Sequence, residues 1–114
     1  MTKDYKAMTE LNIVSEKINF LNSGNSVLTK MPHLVKLDLS YNKIDRIQNL
    51  ECLKMLQELN LSGNPIRLVD DMNLPQLRRL QLDGCRIKNI ENLKACKKLE
   101  YISMKGNLIT DPSI

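Results

Sequence analysis

The chain has 114 residues, enough for one domain, and its 42% hydrophobic residues predict a core that must be aliphatic, because only 4% of the residues are aromatic. A net charge of +4 with 26% charged residues is too small to indicate a nucleic-acid-binding protein and fits a mixed-charge surface. The N-terminus is charged and the chain has no long apolar run, so neither a secretory signal nor a membrane span is predicted. The three cysteines form no Cys-x-x-Cys pair, which together with the missing signal predicts a reduced, cytoplasmic protein, with the cytoskeleton or the nucleus as alternatives.

The N-terminal part of the chain contains an irregular first repeat. Residues 1–7 are polar and are predicted to be either a short cap or a loose tail. In the following repeat, 8–33, the recurring apolar positions are occupied by Met8, Leu11, Ile13 and Ile18, and Glu16 stands where asparagine is expected. Its extra length falls in the turn-forming stretch 22–26. A terminal repeat is expected to be irregular, because one of its faces meets water instead of a neighbour.

A regular pattern begins at Leu34 and reads L-x-x-L-x-L-x-x-N-x-I. It returns at Leu56, Leu77 and Leu99, at spacings of 22, 21 and 22 residues. The copies define repeats 34–55, 56–76 and 77–98 and a partial repeat 99–114, all within one predicted domain, 1–114. A fixed period of this length indicates a leucine-rich-repeat solenoid.

Each repeat is predicted to hold one short strand and one return segment. Alternating apolar and polar residues, as in Leu37-Asp38-Leu39, have the period of a strand with one buried face. Strands one repeat apart form a parallel sheet on the concave side. In the return segments apolar residues recur every three positions, which favours 3₁₀ turns or one short helical turn on the convex side. The predicted fold class is α/β, a short right-handed leucine-rich-repeat solenoid.

The residues that end the strands are predicted to form a structural ladder, because an amide side chain there can satisfy backbone groups that stacking buries. The ladder positions are Asn42, Asn64, Cys85 and Asn107. A thiol is a weaker donor than an amide, so the repeat with Cys85 is expected to be tied less firmly. The same alignment predicts a core position for Cys96 and a half-exposed one for Cys52.

The full pattern, L-x-x-L-x-L-x-x-N-x-I-x-x-I-x-x-L, resembles the 22-residue subclass of leucine-rich repeats over Met8–Ile109. This subclass is typified by a regulatory subunit of protein phosphatase 1, the axonemal dynein leucine-rich light chain and the spliceosomal A-prime protein. The resemblance implies a non-catalytic module that binds a protein partner on its concave face, in a cytoskeletal, ciliary or phosphatase-regulatory scaffold. The alternative is a structural subunit of a ribonucleoprotein complex. No phosphatase-binding residue is carried over, because those residues lie in repeats that this chain does not have.

The sequence offers no arrangement of residues for catalysis, a cofactor or a metal. The single histidine, His33, is predicted to be an exposed loop residue, and no nucleophile, base and orienting acid occur in a recognisable pattern. The glycines in Ser62-Gly63-Asn64 and Asp83-Gly84-Cys85 are isolated turn residues, and the cysteines and Asp70-Asp71 are not grouped as metal ligands. The chain is therefore predicted not to be an enzyme and to have no small-molecule substrate.

The outward-facing strand positions are predicted to form columns across the concave sheet and to contact a protein partner. The expected anchors are Tyr41, Arg79 and Tyr101, since tyrosine and arginine dominate protein interfaces. The full set of predicted contact residues is Lys36, Asp38, Tyr41, Glu58, Asn60, Arg79, Gln81, Asp83, Tyr101, Ser103 and Lys105. Charges of both signs favour a protein over nucleic acid, which would need a basic stripe with stacking aromatics.

Two further surfaces are identified. Lys94, Lys97 and Lys98, with Arg78 nearby, form a basic patch on the convex side, interpreted as a solvated face with an acidic partner as the alternative. The last strand, around Tyr101–Met104, is predicted to have an unpaired edge, because no C-terminal capping motif is visible. The chain is then either a fragment or a protein that docks or self-associates through this edge.

Overall fold

A computed structural model describes residues 7–18, 27–70 and 72–109. The described strands are β1 (Glu10–Asn12), β2 (Lys36–Asp38), β3 (Arg46–Ile47), β4 (Glu58–Asn60), β5 (Leu68–Val69), β6 (Arg79–Gln81) and β7 (Tyr101–Ser103). A 3₁₀ helix spans Val27–Lys30. All of the predicted cap or tail, 1–7, except residue 7 lies outside the described residues, as do the predicted turn at 22–26 and the end of the partial repeat at 110–114.

Five strands form one parallel sheet in the order β1-β2-β4-β6-β7. Equivalent positions of the repeats pair directly, so that Leu37 is opposite Leu59 and Leu59 is opposite Leu80. The predicted solenoid with its parallel sheet is therefore confirmed. The register follows from the sequence, because a shift by one residue would turn the leucines of a strand outward.

The core lies behind this sheet and is aliphatic, as predicted. The first leucines of the regular repeats, Leu34, Leu56 and Leu77, are completely buried. Cys96 is 6% exposed, at the position that Leu53 occupies in an earlier repeat. Since each repeat presents the same leucine-sized surface to the next, stacking the repeats produces one continuous core.

The return segments consist largely of turns with a three-residue period. Leu53 N donates to Leu50 O at 3.0 Å, and Leu56 N donates to Leu53 O at 3.2 Å. In the repeat 77–98, Cys96 N likewise donates to Leu93 O at 3.0 Å. These bonds join residues three apart, which is the 3₁₀ pattern that the apolar spacing predicted.

A second sheet on the return side was not predicted. It consists of β3 and β5, which pair in parallel with Arg46 opposite Leu68 and Ile47 opposite Val69. The prediction of turns alone was incomplete here, because the return segments begin in an extended conformation. Side by side at the repeat spacing, two such segments can exchange backbone hydrogen bonds, and the β-branched Ile47 and Val69 favour this pairing.

Candidate functional site

The concave face is held in place from one end by the ladder of strand-ending residues. The Asn42 side chain accepts hydrogen bonds at Oδ1 from Glu16 N and Ile18 N, at 2.8 and 3.1 Å. Its Nδ2 donates to Ile13 O at 2.7 Å and to Leu39 O at 2.9 Å. One buried amide thus satisfies four backbone groups in two successive repeats and fixes where both strands end.

Asn64 repeats this arrangement one layer further along. Its Oδ1 accepts from Asn42 N and Ile44 N, and its Nδ2 donates to Leu39 O and Leu61 O, at distances of 2.9 to 3.1 Å. Asn64 and the four residues whose backbone groups it contacts are at most 3% exposed, so these backbone groups are shielded from water. The side chain therefore supplies their hydrogen bonds.

The layer of Cys85 has longer contacts. The Cys85 Sγ lies 3.5 Å from Leu61 O and 3.8 Å from Asp83 O. Burial raises the pKa of the Cys85 thiol, so it remains a neutral, weak donor. In the next layer Asn107 Nδ2 again donates to Leu82 O at 2.7 Å.

The outermost column of the sheet is a run of compensating charges, made of Glu10, Lys36, Glu58, Arg79 and Tyr101 in register. Lys36 Nζ lies 3.8 Å from a Glu10 oxygen and 3.3 Å from a Glu58 oxygen. Arg79 Nε lies 3.6 Å from Glu58, and the Arg79 guanidinium lies 4.4 Å from the centre of the Tyr101 ring. Because these groups are partly exposed, each pair contributes about 1 kcal/mol or less to stability. Their main effect is to fix an ordered, electrically balanced surface.

The middle column turns its polar side chains toward the strand ends. Asp38 Oδ1 accepts from Ser40 N at 2.9 Å, and Asn60 Oδ1 accepts from Ser62 N at 3.0 Å. Ser103, one of the predicted contact residues, is 7% exposed, and its hydroxyl donates to Asp83 Oδ1 at 2.5 Å. Its side chain therefore helps to hold Asp83, and its contact with a partner stays a prediction.

The pKa of the Asp83 carboxyl on this face is lowered. The hydrogen bond from Ser103 is the main cause that lowers the pKa of Asp83, and the backbone N–H and the charge of Lys105 lower it further. The Lys105 N–H donates to Asp83 Oδ1 at 2.9 Å. Asp83 therefore stays ionised at neutral pH and joins the ends of β6 and β7.

The sequence analysis did not predict the backbone conformation of Tyr41. It has φ = 56°, in the left-handed region, and its side chain is 65% exposed. The ring covers Gly63, where an added Cβ would lie 2.5 Å from Tyr41 Cδ1. The equivalent residues Gly63, Gly84 and Gly106 also have positive φ, and glycine adopts this conformation most easily. The sequence did contain a signal for this conformation, since Tyr41 occupies the position that glycine occupies in the other regular repeats.

A shallow depression of about 300 Å³ on the concave face gathers part of the predicted set. The predicted residues that line it are Lys36, Asp38, Glu58, Asn60, Arg79 and Gln81. Tyr101 contacts Arg79, which lines the depression. Asp83, Ser103 and Lys105 form a separate hydrogen-bonded group. Tyr41 lies beyond the end of β2, so the three expected anchors are not one cluster.

The single histidine and the basic patch lie at the surface. His33 is exposed, and Lys94, Lys97 and Lys98 are exposed. In the basic patch, Lys98 Nζ donates to Gln76 Oε1 at 2.9 Å, and Arg78 Nη1 lies 3.6 Å from Glu100 Oε1. Two of the four cations therefore already have polar partners.

The thiols of the described residues are poorly suited to other chemistry. The cysteines at 52, 85 and 96 are free thiols, and burial raises the pKa of each. Such thiols are poor nucleophiles and poor metal ligands at neutral pH. Within 7–18, 27–70 and 72–109 no three histidine, cysteine or acidic side chains are close enough to hold a metal ion. Over the same residues no helix has the length and apolarity required to span a membrane.

Solved structures similar to this chain include the two that follow. A chain of the Drosophila melanogaster SNF/U2A′ complex is 26% identical with a TM-score of 0.77, and the match covers 91% of this chain and 62% of that one. Internalin C2 from Listeria monocytogenes is 25% identical with a TM-score of 0.55, over 94% of this chain and 56% of that protein. The chain thus spans less than two thirds of the length of either. No curated protein sequence matches it significantly.

Family models agree with the repeat pattern. A model described as leucine rich repeat matches residues 6–66, and a second, described as two copies of leucine rich repeats, matches residues 75–113. The first model alone covers more than half of the chain, and the parallel sheet and buried leucines have the structure that these repeats require. The chain belongs to the leucine-rich repeat family.

Proposed function

We propose that this chain is a non-catalytic module that binds a protein partner on the outer and middle columns of its concave sheet. Leucine-rich repeats are generally protein-interaction modules, and the family membership supports this class of function. The observation that carries the specific proposal is the ordered column from Glu10 to Tyr101, with its alternating charges and its Arg79–Tyr101 pair.

The balance of charge favours a protein partner over nucleic acid. Glu10 and Glu58 offset Lys36 and Arg79 along the column, so the face has no basic stripe to attract phosphates. A protein with complementary charges would find its register on such a surface, and the arginine stacked on tyrosine would serve as the anchor. Tyr41, beyond the end of β2, is the second proposed anchor.

The proposed place of action is the cytoplasm, with the cytoskeleton or the nucleus as alternatives. The proposal rests on the three free cysteines and on the subclass resemblance. Free thiols are typical of reducing compartments, whereas secreted proteins usually pair their cysteines.

The test is affinity capture with purified wild-type chain beside an Arg79→Glu/Tyr101→Ala variant, followed by titration calorimetry with the captured protein. We expect the variant to bind the partner at least about tenfold more weakly, because it removes a charged anchor and its aromatic support. A Lys98→Glu/Met55→Ala variant is the matched control, since it makes the same change in charge and a similar truncation at exposed residues outside the concave columns. Equal binding by the wild type and both variants would refute the concave-face proposal.

A structural subunit of a ribonucleoprotein is the second candidate. It is favoured by the similarity to a chain of the SNF/U2A′ complex, whose TM-score of 0.77 exceeds the 0.55 for internalin C2. In that case captured material should contain RNA together with the protein partner. Nuclease treatment should remove the RNA and leave the protein partner bound, because the concave face is proposed to contact protein. Captured material without RNA would contradict this candidate alone.

A further inference from the structure

A groove on the return side of the solenoid, away from the concave sheet, combines exposed leucines with positive charge. We call it the basic leucine groove. It has a volume of about 620 Å³ and is lined by Arg67, Leu68, Arg86, Lys88, Asn89 and Leu108. None of these residues belongs to the outer or middle column of the concave face.

The groove opens where the two-stranded return sheet ends. β5 pairs with β3, but no backbone hydrogen bond in the described part of the chain joins Leu68 or Val69 to residues 88–90. The two layers are fastened before this point by Arg86 N, which donates to Ile66 O at 2.9 Å. They are fastened after it by Asn92 Nδ2, which donates to Val69 O at 2.5 Å. Between these two bonds, no backbone hydrogen bond joins the two layers in the described residues.

Two leucines leave a large part of their side chains in water at this groove. Leu68 is 58% exposed and Leu108 is 52% exposed, whereas the core leucines Leu59 and Leu61 of the repeat that contains Leu68 are almost completely buried. Single exposed leucines are common on protein surfaces, but two that line one groove form an apolar patch that a ligand can cover.

The charged groups around the leucines have one sign. Arg67, Arg86 and Lys88 line the groove, and no described acidic residue does. The ion pairs found among the described residues involve other cations, namely Lys36, Arg46, Arg78 and Arg79. Asp45, in the preceding layer, accepts the Arg67 N–H at its carbonyl oxygen and is not part of the groove lining.

We infer that the basic leucine groove binds an acidic peptide segment in which apolar side chains alternate with Asp or Glu. Such a segment would cover the two leucines and place its carboxylates among the three cations. RNA fits less well, because it has no aliphatic groups for Leu68 and Leu108, and no aromatic side chain lines the groove to stack on bases. This inference concerns a second surface and does not depend on the proposed concave-face function.

The test uses the full chain and fluorescently labelled synthetic ligands in anisotropy titrations. The probe is a peptide of alternating Glu and Leu, compared with alternating Glu and Ser and with oligouridylate RNA. We expect the Glu–Leu peptide to bind at least about tenfold more tightly than the Glu–Ser peptide. Leu68→Ser/Leu108→Ser and Arg86→Glu/Lys88→Glu should each weaken its binding by about tenfold or more.

Lys94→Glu/Lys97→Glu is the matched control for Arg86→Glu/Lys88→Glu. It makes the same change in charge at two exposed residues that are not part of the groove lining. It should leave the affinity within about twofold of the wild type, as should the concave-face variant Arg79→Glu/Tyr101→Ala. Thermal melting of each variant verifies that it is folded. Equal weakening by the control would indicate non-specific attraction and overturn the inference. Tighter binding of RNA that is insensitive to the leucine substitutions would overturn it as well.

Discussion

At the scale of single residues, the position before each ladder residue is where the backbone is most constrained. It has positive φ in every regular repeat, and it is occupied by Tyr41, Gly63, Gly84 and Gly106. A side chain in the left-handed region costs about 1 kcal/mol or more, so Tyr41 is held there by its surroundings. Its ring packs on Gly63, which has no side chain in the way. An exposed tyrosine kept in a strained conformation is consistent with its proposed role as an anchor.

Gly63→Ala and Gly84→Ala test this arrangement as a matched pair. Both residues have similar φ, +75° and +65°, but only at Gly63 would the new Cβ meet the Tyr41 ring, at 2.5 Å, whereas at Gly84 the nearest atom is at 3.9 Å. We expect Gly84→Ala to lower the free energy of unfolding by about 1 kcal/mol and Gly63→Ala by about 2 kcal/mol, measured by urea denaturation. In a Tyr41→Gly background the two costs should become equal, and a difference that persists would show that the ring contact is not its cause.

At the scale of elements, β6 and β7 are joined by Asp83 as well as by the sheet. The Asp83 carboxylate accepts from Ser103 Oγ and from Lys105 N. These bonds favour the ionised form, which is why the pKa of Asp83 is lowered. The stabilisation is therefore fully present above the pKa of an unfolded aspartate, about 4, and is lost as the pH falls through the lower pKa of the folded state.

The prediction for these strands concerns the Ser103→Ala variant. Removing the principal hydrogen bond should raise the pKa of Asp83 toward its ordinary value, which carbon-detected NMR titration of the carboxyl group measures directly. The stability difference between wild type and variant should be constant near neutral pH and shrink below about pH 4, because protonated Asp83 loses its advantage in the wild type. An unchanged Asp83 titration in the variant would assign the shift to another group.

The sequence predicted the elements that depend on the repeat period and missed those that depend on contacts between particular side chains. Equal spacing fixes the register, so the columns through Lys36, Glu58 and Arg79 could be written from the sequence. The burial of Ser103 could not, because it follows from a hydrogen bond to the neighbouring strand. The β3–β5 pair was missed because the apolar spacing of three does not distinguish a turn from a short extended segment. The binding role of the concave residues stays a prediction.

At the scale of the whole molecule, each repeat contacts mainly the repeats before and after it. An inner strand such as β4 has neighbours on both sides, β2 and β6, whereas β1 has a described neighbour on one side only. The burial of equivalent leucines depends on where their strand lies in the sheet. Leu59 on the inner strand β4 is 1% exposed, whereas Leu11 on β1 is only partly buried. In a stack of this kind, stability is approximately the sum of contributions from the repeats and from their interfaces.

The same substitution at two aligned positions should therefore have unequal effects. Leu59→Ala opens a cavity between two packed layers and should lower the free energy of unfolding by about 3 kcal/mol. Leu11→Ala, at the equivalent position of β1, should cost about 1 kcal/mol, because its side chain already has fewer neighbours and its surroundings can relax. Urea denaturation gives both values, and hydrogen exchange locates the change: in Leu11→Ala only amides of the first layers should exchange faster, whereas Leu59→Ala should accelerate exchange across β2, β4 and β6. Equal costs for the two variants would contradict the expectation that position along the stack determines how much a substitution destabilises the protein.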